Sequence, residues 1–327
     1  MSSIKIGISL GDPGGIGPEV TLKALFSVSK LPKAEYILFG SRKIIEKETN
    51  ILGHNINIPD YNPQKKDSPT QLAICSIPYP LNSVKYGYAC KENGKISFEY
   101  FKKAVNEAKK GSLHAVVTAP ISKQSWKLAG INWAGHTEYL RKDYPEAIMS
   151  FFSRHLNVAL FTHHISLKKA LVQIKKKNLC DFFVRLNKFS QEARNKKFHL
   201  LVPGLNPHAG ENGLLGNEEI TEIHPAINAA RKKGVSISGP YPPDTVFKKA
   251  YKDKNKIVAS LYHDQGLIAF KIVSFEDGVN TTLGLPFIRT SPDHGTAFDI
   301  VGKGTADPQS MIEAIKLAVQ FSQNQRS

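Results

Sequence analysis

Three histidines sit in cramped, turn-rich contexts far apart in the chain: His164 in FTHHISL, His208 in GLNPHAGENG and His263 in YHDQG. Imidazoles presented from loops or strand ends, rather than spaced along one helix, suit a divalent metal whose remaining positions stay open for a substrate. His208 is boxed by Asn206, Pro207, Gly210 and Glu211, and His263 by Asp264, Gln265 and Gly266. Such polar, sharp-turn residues beside apolar runs are where sites are built. In a chain with eleven histidines, each of the three alone reads first as an exposed or internally bonded side chain. Their common context is what joins them.

A second group of residues could hold anions. Lys271, Asn280 and Arg289 follow His263 on strand-like or turn segments, and His136-Thr137 follows Gly135 on another turn. Together they offer charged and neutral donors for a phosphate or carboxylate. The composite implies an enzyme that pairs a metal with anion clamps.

The elements that must position these groups alternate along the chain. The β-rich runs Ile4–Leu10, Tyr36–Gly40, Ala115–Thr118, Val158–Phe161, His199–Val202 and Ile257–Tyr262 are expected strands. Helices are expected from Pro18, about Ile96, Pro120, near Leu167, near Glu218 and about Pro308. Strands alternating with amphipathic helices imply parallel sheets covered by helices, an α/β fold. The first strand runs into GDPGGIGPEV, Gly11 to Val20. That turn reads either as a tight structural corner or as backbone N–H groups offered to an anion, and its spacing is not a G-x-G-x-x-G fingerprint. Thr118-Ala119-Pro120, followed by Ser122 and Lys123, puts polar groups at the carboxyl end of a strand, where ligands bind in parallel sheets.

Composition narrows the class. At 327 residues and 41% hydrophobic, the chain can bury a large core and divide into two domains. No apolar run reaches the roughly 20 residues that span a bilayer, and IKIGISL begins strand-like at the N-terminus, so a cytoplasmic protein is expected. Cys75, Cys90 and Cys180 lack the spacing of a zinc knuckle or a disulfide scaffold. The formal charge of +16 invites nucleic acid, yet the densest cluster, Lys175-Lys176-Lys177, has no interleaved aromatics and reads as a solvated helix face. The same positive field favours anionic metabolites.

The segments GDPGGIGPEV, TAPISK, GHTEYL, GLNPHAGENG, YHDQG and GLPFIRTSPDHGTAFDIVGKG occur in this order across nearly the whole chain. In them the sequence resembles the 4-hydroxythreonine-4-phosphate dehydrogenase family of vitamin B6 biosynthesis. The resemblance implies two α/β/α domains around a cleft, like isocitrate and isopropylmalate dehydrogenases. It implies a discontinuous nucleotide-side domain, 1–125 plus 275–327, and a metal, substrate and dimerisation domain, 126–274. It further implies a homodimer whose subunits share active sites. The metal ligands carried over are His164, His208 and His263, with His163 second choice to its neighbour; the substrate contacts are His136, Thr137, Lys271, Asn280 and Arg289. HGTAFDIVGKGTADP resembles the adenosine loop of the related dehydrogenases, which implies His294, Gly295, Thr296 and Asp299 on the cofactor side, with Asp307 standing where those enzymes usually carry Asn. The cofactor is NAD or NADP, NAD first because Asp299 would repel a 2′-phosphate. The metal is zinc, magnesium or cobalt, one per site. The implied reaction oxidises the C3 hydroxyl of 4-phosphooxy-L-threonine and then decarboxylates to 3-amino-2-oxopropyl phosphate. Asp244, in GPYPPDTVF, is either a proton relay or an ordinary turn residue. Threonate or erythronate 4-phosphate is the alternative substrate, and a basic nucleic-acid-binding protein the remote alternative class.

Overall fold

A computed structural model of the protein describes residues 3–27, 31–54, 56–64 and 71–326. The chain divides into two compact units, Met1–Pro145 with Leu285–Arg326, and Glu146–Gly284. The division falls later than the positions 125 and 275 expected from sequence. His136 and Thr137 therefore share a unit with Arg289, while Asn280 goes with the histidine-bearing middle of the chain.

In the first unit β1 (Lys5–Ser9), β2 (Glu35–Gly40), β3 (Leu72–Ser76), β4 (Ala115–Thr118) and β11 (Ile288–Pro292) pair in parallel, in the order β3-β2-β1-β4-β11. Runs such as KIGIS and AVVT are buried throughout, as expected for a sheet covered on both faces. Side chains alternate between those faces with period two. Ile37, Phe39 and Val116 meet Phe101 of α3 (Lys91–Lys109) and Trp126 of α4 (Lys123–Leu128). Arg289 pairs with Val116 in register and Thr290 with Val117, so Arg289 points to the α3–α4 side. Thr290 points to the other side, where its hydroxyl donates to Ala314 O of α11 (Gln309–Asn324) at 2.8 Å. There α11 packs with α1 (Gly17–Phe26), which packs in turn on α2 (Arg42–Ile51).

Two helix starts differ from expectation. The helix placed near Ile96 begins at Lys91, capped by Cys90. The one placed at Pro120 begins at Lys123: Pro120 O is engaged by Asp12 N at 2.9 Å, and Ser122 Oγ caps the helix by accepting from Ser125 N at 3.0 Å.

In the second unit β5 (Ile148–Phe152), β6 (Asn157–Leu160), β7 (His199–Pro203), β8 (Ile237–Tyr241), β9 (Lys256–Ser260) and β10 (Val279–Leu283) run in the order β10-β5-β6-β9-β7-β8. β5 is antiparallel to both neighbours, and β6, β9, β7 and β8 are mutually parallel. Val158, Leu160 and Val258 pack against Leu267 and Phe270 of α10 (His263–Ser274) and Val246 of α9 (Val246–Ala250). α7 (Lys176–Arg194) and α8 (His224–Lys232) pack together, touching β10 and β8. Lys175, Lys176 and Lys177 are exposed at the start of α7, as a solvated face requires. Among the described residues no helix is long and apolar enough to cross a membrane.

Candidate active site

The three histidines leave the sheet of the second unit at the same end. β6 ends at Leu160 and continues through Thr162 to His163-His164; β9 ends at Ser260, and His263 opens α10; β7 ends at Pro203 and leads to His208. These three strands are adjacent and parallel, so the histidines follow the carboxyl ends of neighbouring strands, the usual ligand-binding edge of such a sheet. The loops are tied together: Thr162 Oγ1 donates to Leu261 O at 2.9 Å, Gln265 Oε1 accepts from Leu261 N at 2.8 Å, and Gln265 Nε2 donates to Gly204 O at 2.8 Å.

The ring centroids of His164 and His263 are 5.6 Å apart. His263 Nδ1 lies 2.7 Å from Asp264 Oδ1, and His208 Nδ1 lies 3.5 Å from Glu211 Oε2. A carboxylate only accepts, so Asp264 holds the proton of His263 on Nδ1 and turns its Nε2 lone pair outward, the arrangement that metal-binding imidazoles favour. Among the described residues the ligand nitrogens of His164, His208 and His263 do not all come within 4.8 Å of one another.

His208 sits in an unusual backbone. His208, Ala209, Gly210, Glu211 and Asn212 all have positive φ, from 44° to 79°. Each non-glycine residue there costs roughly 1–2 kcal/mol, so His208, Ala209, Glu211 and Asn212 together store several kcal/mol in a single left-handed turn. Strain of this kind persists where the surroundings hold it, commonly at functional sites.

Lys271 lies in the last turn of α10 and Asn280 on β10, both half-buried. Asp244 is exposed in the turn after β8, the strand flanking β7.

The first unit carries the other group. Arg289 is only 3% exposed; its Nη2 donates to Thr118 Oγ1 at 2.6 Å and to His136 Nδ1 at 3.2 Å. Burial pulls the guanidinium pKa down to about 10, a drop partly offset by the charge of Glu138. His136, the first residue of α5 (His136–Arg141), is packed against Phe101 and Trp126. Burial first, and the Arg289 charge second, hold it well below the ordinary histidine range, so its ring is neutral. Because a guanidinium only donates, Nδ1 is the acceptor and Nε2 carries the proton. That Nε2–H is buried without a hydrogen-bond partner among the described residues. A buried, unsatisfied donor thus lies beside a buried cation, with Thr137 next in sequence and also buried.

The glycine-rich turn is not such a receiver. Asp12 N, Gly14 N, Gly15 N and Ile16 N donate to Pro120 O, Asp12 Oδ1, Asp12 O and Thr296 O respectively, so those donors are already used. Gly11 is needed for geometry: at φ 71°, a Cβ on it would lie 2.2 Å from Pro120 O. The turn seats the carboxyl-terminal loop that holds His294, Gly295, Thr296 and the exposed Asp299. Lys23 Nζ reinforces that loop through Gly304 O and Ala306 O, each at 2.8 Å, and Glu19 Oε1 accepts from Ala306 N at 2.9 Å. Asp307 Oδ1 accepts from Gln309 N at 2.9 Å at the start of α11, which gives it a local structural task.

Sequence reasoning noted Thr118 as a strand end without its guanidinium partner, and it missed the loop-holding pair Glu19 and Lys23. Their i, i+4 spacing behind a glycine turn was the available signal.

The fold is shared with isocitrate dehydrogenase from Methylococcus capsulatus, at TM-score 0.50 and 12% identity, over 99% of this chain and 88% of that one. The family model described as "Pyridoxal phosphate biosynthetic protein PdxA" matches residues 32–318, and the chain belongs to that family. It is 42% identical over 321 residues to 4-hydroxythreonine-4-phosphate dehydrogenase of Sulfurihydrogenibium sp. strain YO3AOP1, covering 97% of this chain and 98% of the relative. It is 40% identical over 325 residues, 97% of this chain and 96% of the relative, to a Clostridium botulinum (strain Langeland) protein provisionally named D-threonate 4-phosphate dehydrogenase. The crystal structure of 4-hydroxythreonine-4-phosphate dehydrogenase from Klebsiella pneumoniae superposes at TM-score 0.82 with 35% identity, over 98% of this chain and all (100%) of that one.

Proposed function

We propose that this chain is an NAD(P)-dependent, divalent-metal-assisted dehydrogenase. Its substrate is 4-phosphooxy-L-threonine, oxidised at the C3 hydroxyl and decarboxylated to 3-amino-2-oxopropyl phosphate in pyridoxal 5′-phosphate biosynthesis. The observation that carries this reading is the set of imidazoles at the carboxyl ends of adjacent parallel strands, with His263 Nδ1 hydrogen-bonded to the Asp264 carboxylate. Neutral nitrogen donors fit zinc or cobalt better than magnesium, which prefers oxygen. His164, His208 and His263 would hold the ion, which would supply Lewis acidity for the substrate hydroxyl and for the ketone oxygen.

The protein's own groups bind and orient. Arg289 and the Nε2–H of His136 gain from an anionic oxygen of the substrate what burial took from them. Thr137 adds a hydroxyl, and Lys271 and Asn280 are further candidate substrate donors. Asp299, exposed on its loop, accepts from a ribose hydroxyl, which puts NAD ahead of NADP. A bound nicotinamide would accept the C3 hydride, and the exposed Asp244 would relay the hydroxyl proton to solvent.

A second copy of the chain completes the site in this reading. Ile268, Ile272 and Phe275 are 62%, 78% and 70% exposed at i, i+4 and i+7 along α10 and its end, an apolar stripe of the kind a partner helix buries.

The test is NADH and NADPH formation by purified protein with 4-phosphooxy-L-threonine and, in parallel, threonate and erythronate 4-phosphates, with and without a chelator. Chelator-sensitive reduction favouring the amino substrate is expected. No reduction with any of them overturns the reading, and preference for threonate 4-phosphate selects the second one, which the name of the 40% identical relative favours.

A further inference from the structure

We infer that Glu219 is a positioning residue that holds the left-handed turn in the geometry from which His208 reaches a metal. The inference rests on His208 being a ligand. Glu219 is 3% exposed, yet its carboxylate does not face an aliphatic core. Oε1 accepts from Leu205 N at 2.7 Å and from Asn206 N at 2.8 Å, and Oε2 accepts from Asn206 Nδ2 at 2.9 Å. The second hydrogen of Asn206 Nδ2 goes to Glu218 Oε2 at 2.8 Å, and Asn206 O accepts from Ala209 N at 3.1 Å. Asn206, two residues before His208, is thus clamped through its backbone, its amide group and its carbonyl.

Glu219 also backs the middle of the turn. A Cβ on Gly210, whose φ is 79°, would lie 2.6 Å from Glu219 Oε2, so the carboxylate rests on the backbone where the chain bends most. Every bond given for Glu219 goes to residues within three of His208. The glutamate opens a π-helical turn, Glu219–Ile223, that runs into α8. A π turn is a costly insertion that recurs at functional sites, and here it starts at the residue that holds the loop. Burying a carboxylate is an expensive way to fill space, since an apolar side chain of similar volume commonly packs as well. The arrangement makes sense where the gain is the fixed direction of a strained loop.

Cobalt(II) titration of the metal-free, full-length protein, followed by visible absorption well below the melting temperature, separates the parts of this argument. The proteins compared are the native chain, His208→Ala, Glu219→Leu and Glu219→Gln, each checked for native far-UV circular dichroism. Partners behind a ligand typically contribute about 10–100-fold in metal affinity, so Glu219→Leu is expected to bind cobalt at least tenfold more weakly and with an altered absorption spectrum. Glu219→Gln is expected in between. Its carbonyl oxygen still accepts from Leu205 N and Asn206 N, while its amide faces Asn206 Nδ2 donor to donor. Native cobalt affinity in His208→Ala would remove the metal reading itself. Weak binding by His208→Ala together with native binding by folded Glu219→Leu would overturn the inference alone. If Glu219→Leu does not fold, Glu219→Gln decides: affinity within about twofold of native overturns it.

Discussion

Replacing Arg289 by methionine should abolish the stabilisation of the protein by a bound anion. At neutral pH the guanidinium is charged in both folded and unfolded chains, so the full penalty of its burial is present, and it would lift only above the folded pKa near 10. A fall from 12.5 to about 10 amounts to about 3 kcal/mol, at about 1.4 kcal/mol per pKa unit. Against this stand the bonds from Nη2 to Thr118 Oγ1 and His136 Nδ1, at roughly 1.5–3 kcal/mol each for a charged donor. The two sides are of the same order, so Arg289→Met without ligand should range from about neutral to about 2 kcal/mol less stable. Urea denaturation with and without inorganic phosphate is the assay. Phosphate at roughly a hundred times its Kd adds about 2.7 kcal/mol to a protein that binds it; the native chain should gain this and Arg289→Met should not. A variant more than about 2 kcal/mol less stable than native, by the same bookkeeping, would mean that Arg289 is chiefly a structural tie. Equal stabilisation of both proteins by phosphate would move the anion site elsewhere.

Two further outcomes follow from single residues. The His136 pKa is depressed in the folded chain by burial, so below the unfolded value of about 6.5 the unfolded state takes up the proton first and stability falls, by up to about 1.4 kcal/mol per pH unit for this group. Denaturation midpoints followed from neutral to acid pH should therefore drop less steeply in His136→Asn, and parallel curves would show that the ring already accepts a proton when folded. Ile272→Glu places a charge at a position 78% exposed, so folding should change by less than about 0.5 kcal/mol. Sedimentation should show the native chain as a dimer and the variant as a monomer; an unchanged dimer would locate the interface on another face.

Much of the architecture is legible locally. KIGIS, AVVT and NVAL are short β-rich runs that need no distant partner to be recognised. VNTTL of β10 is not, because its polar side chains suit a strand only once β5 pairs beside it. ISGPY of β8 carries glycine and proline, which argue against a strand until β7 offers a ladder. For the site, the histidines and anion-binding residues stand out by type and by the turns around them. The residues that hold them do not: Thr118, Gln265 and Glu219 act through hydrogen bonds to groups 171, 61 and 14 residues away in sequence.

The sequence by itself determined the alternation of strands and helices and the family, since these depend on residue type, local spacing and ordered motifs. Only the tertiary structure decided that His136 and Arg289 share a buried group within one unit, that the glycine-rich turn uses its own donors on Pro120, Asp12 and Thr296 instead of an anion, and that Glu219 backs His208. The physical reason is that burial and hydrogen-bond pairing depend on parts of the chain that meet only on folding. A guanidinium in water and one enclosed beside a neutral imidazole are the same residue in sequence, and only the second has a pKa near 10.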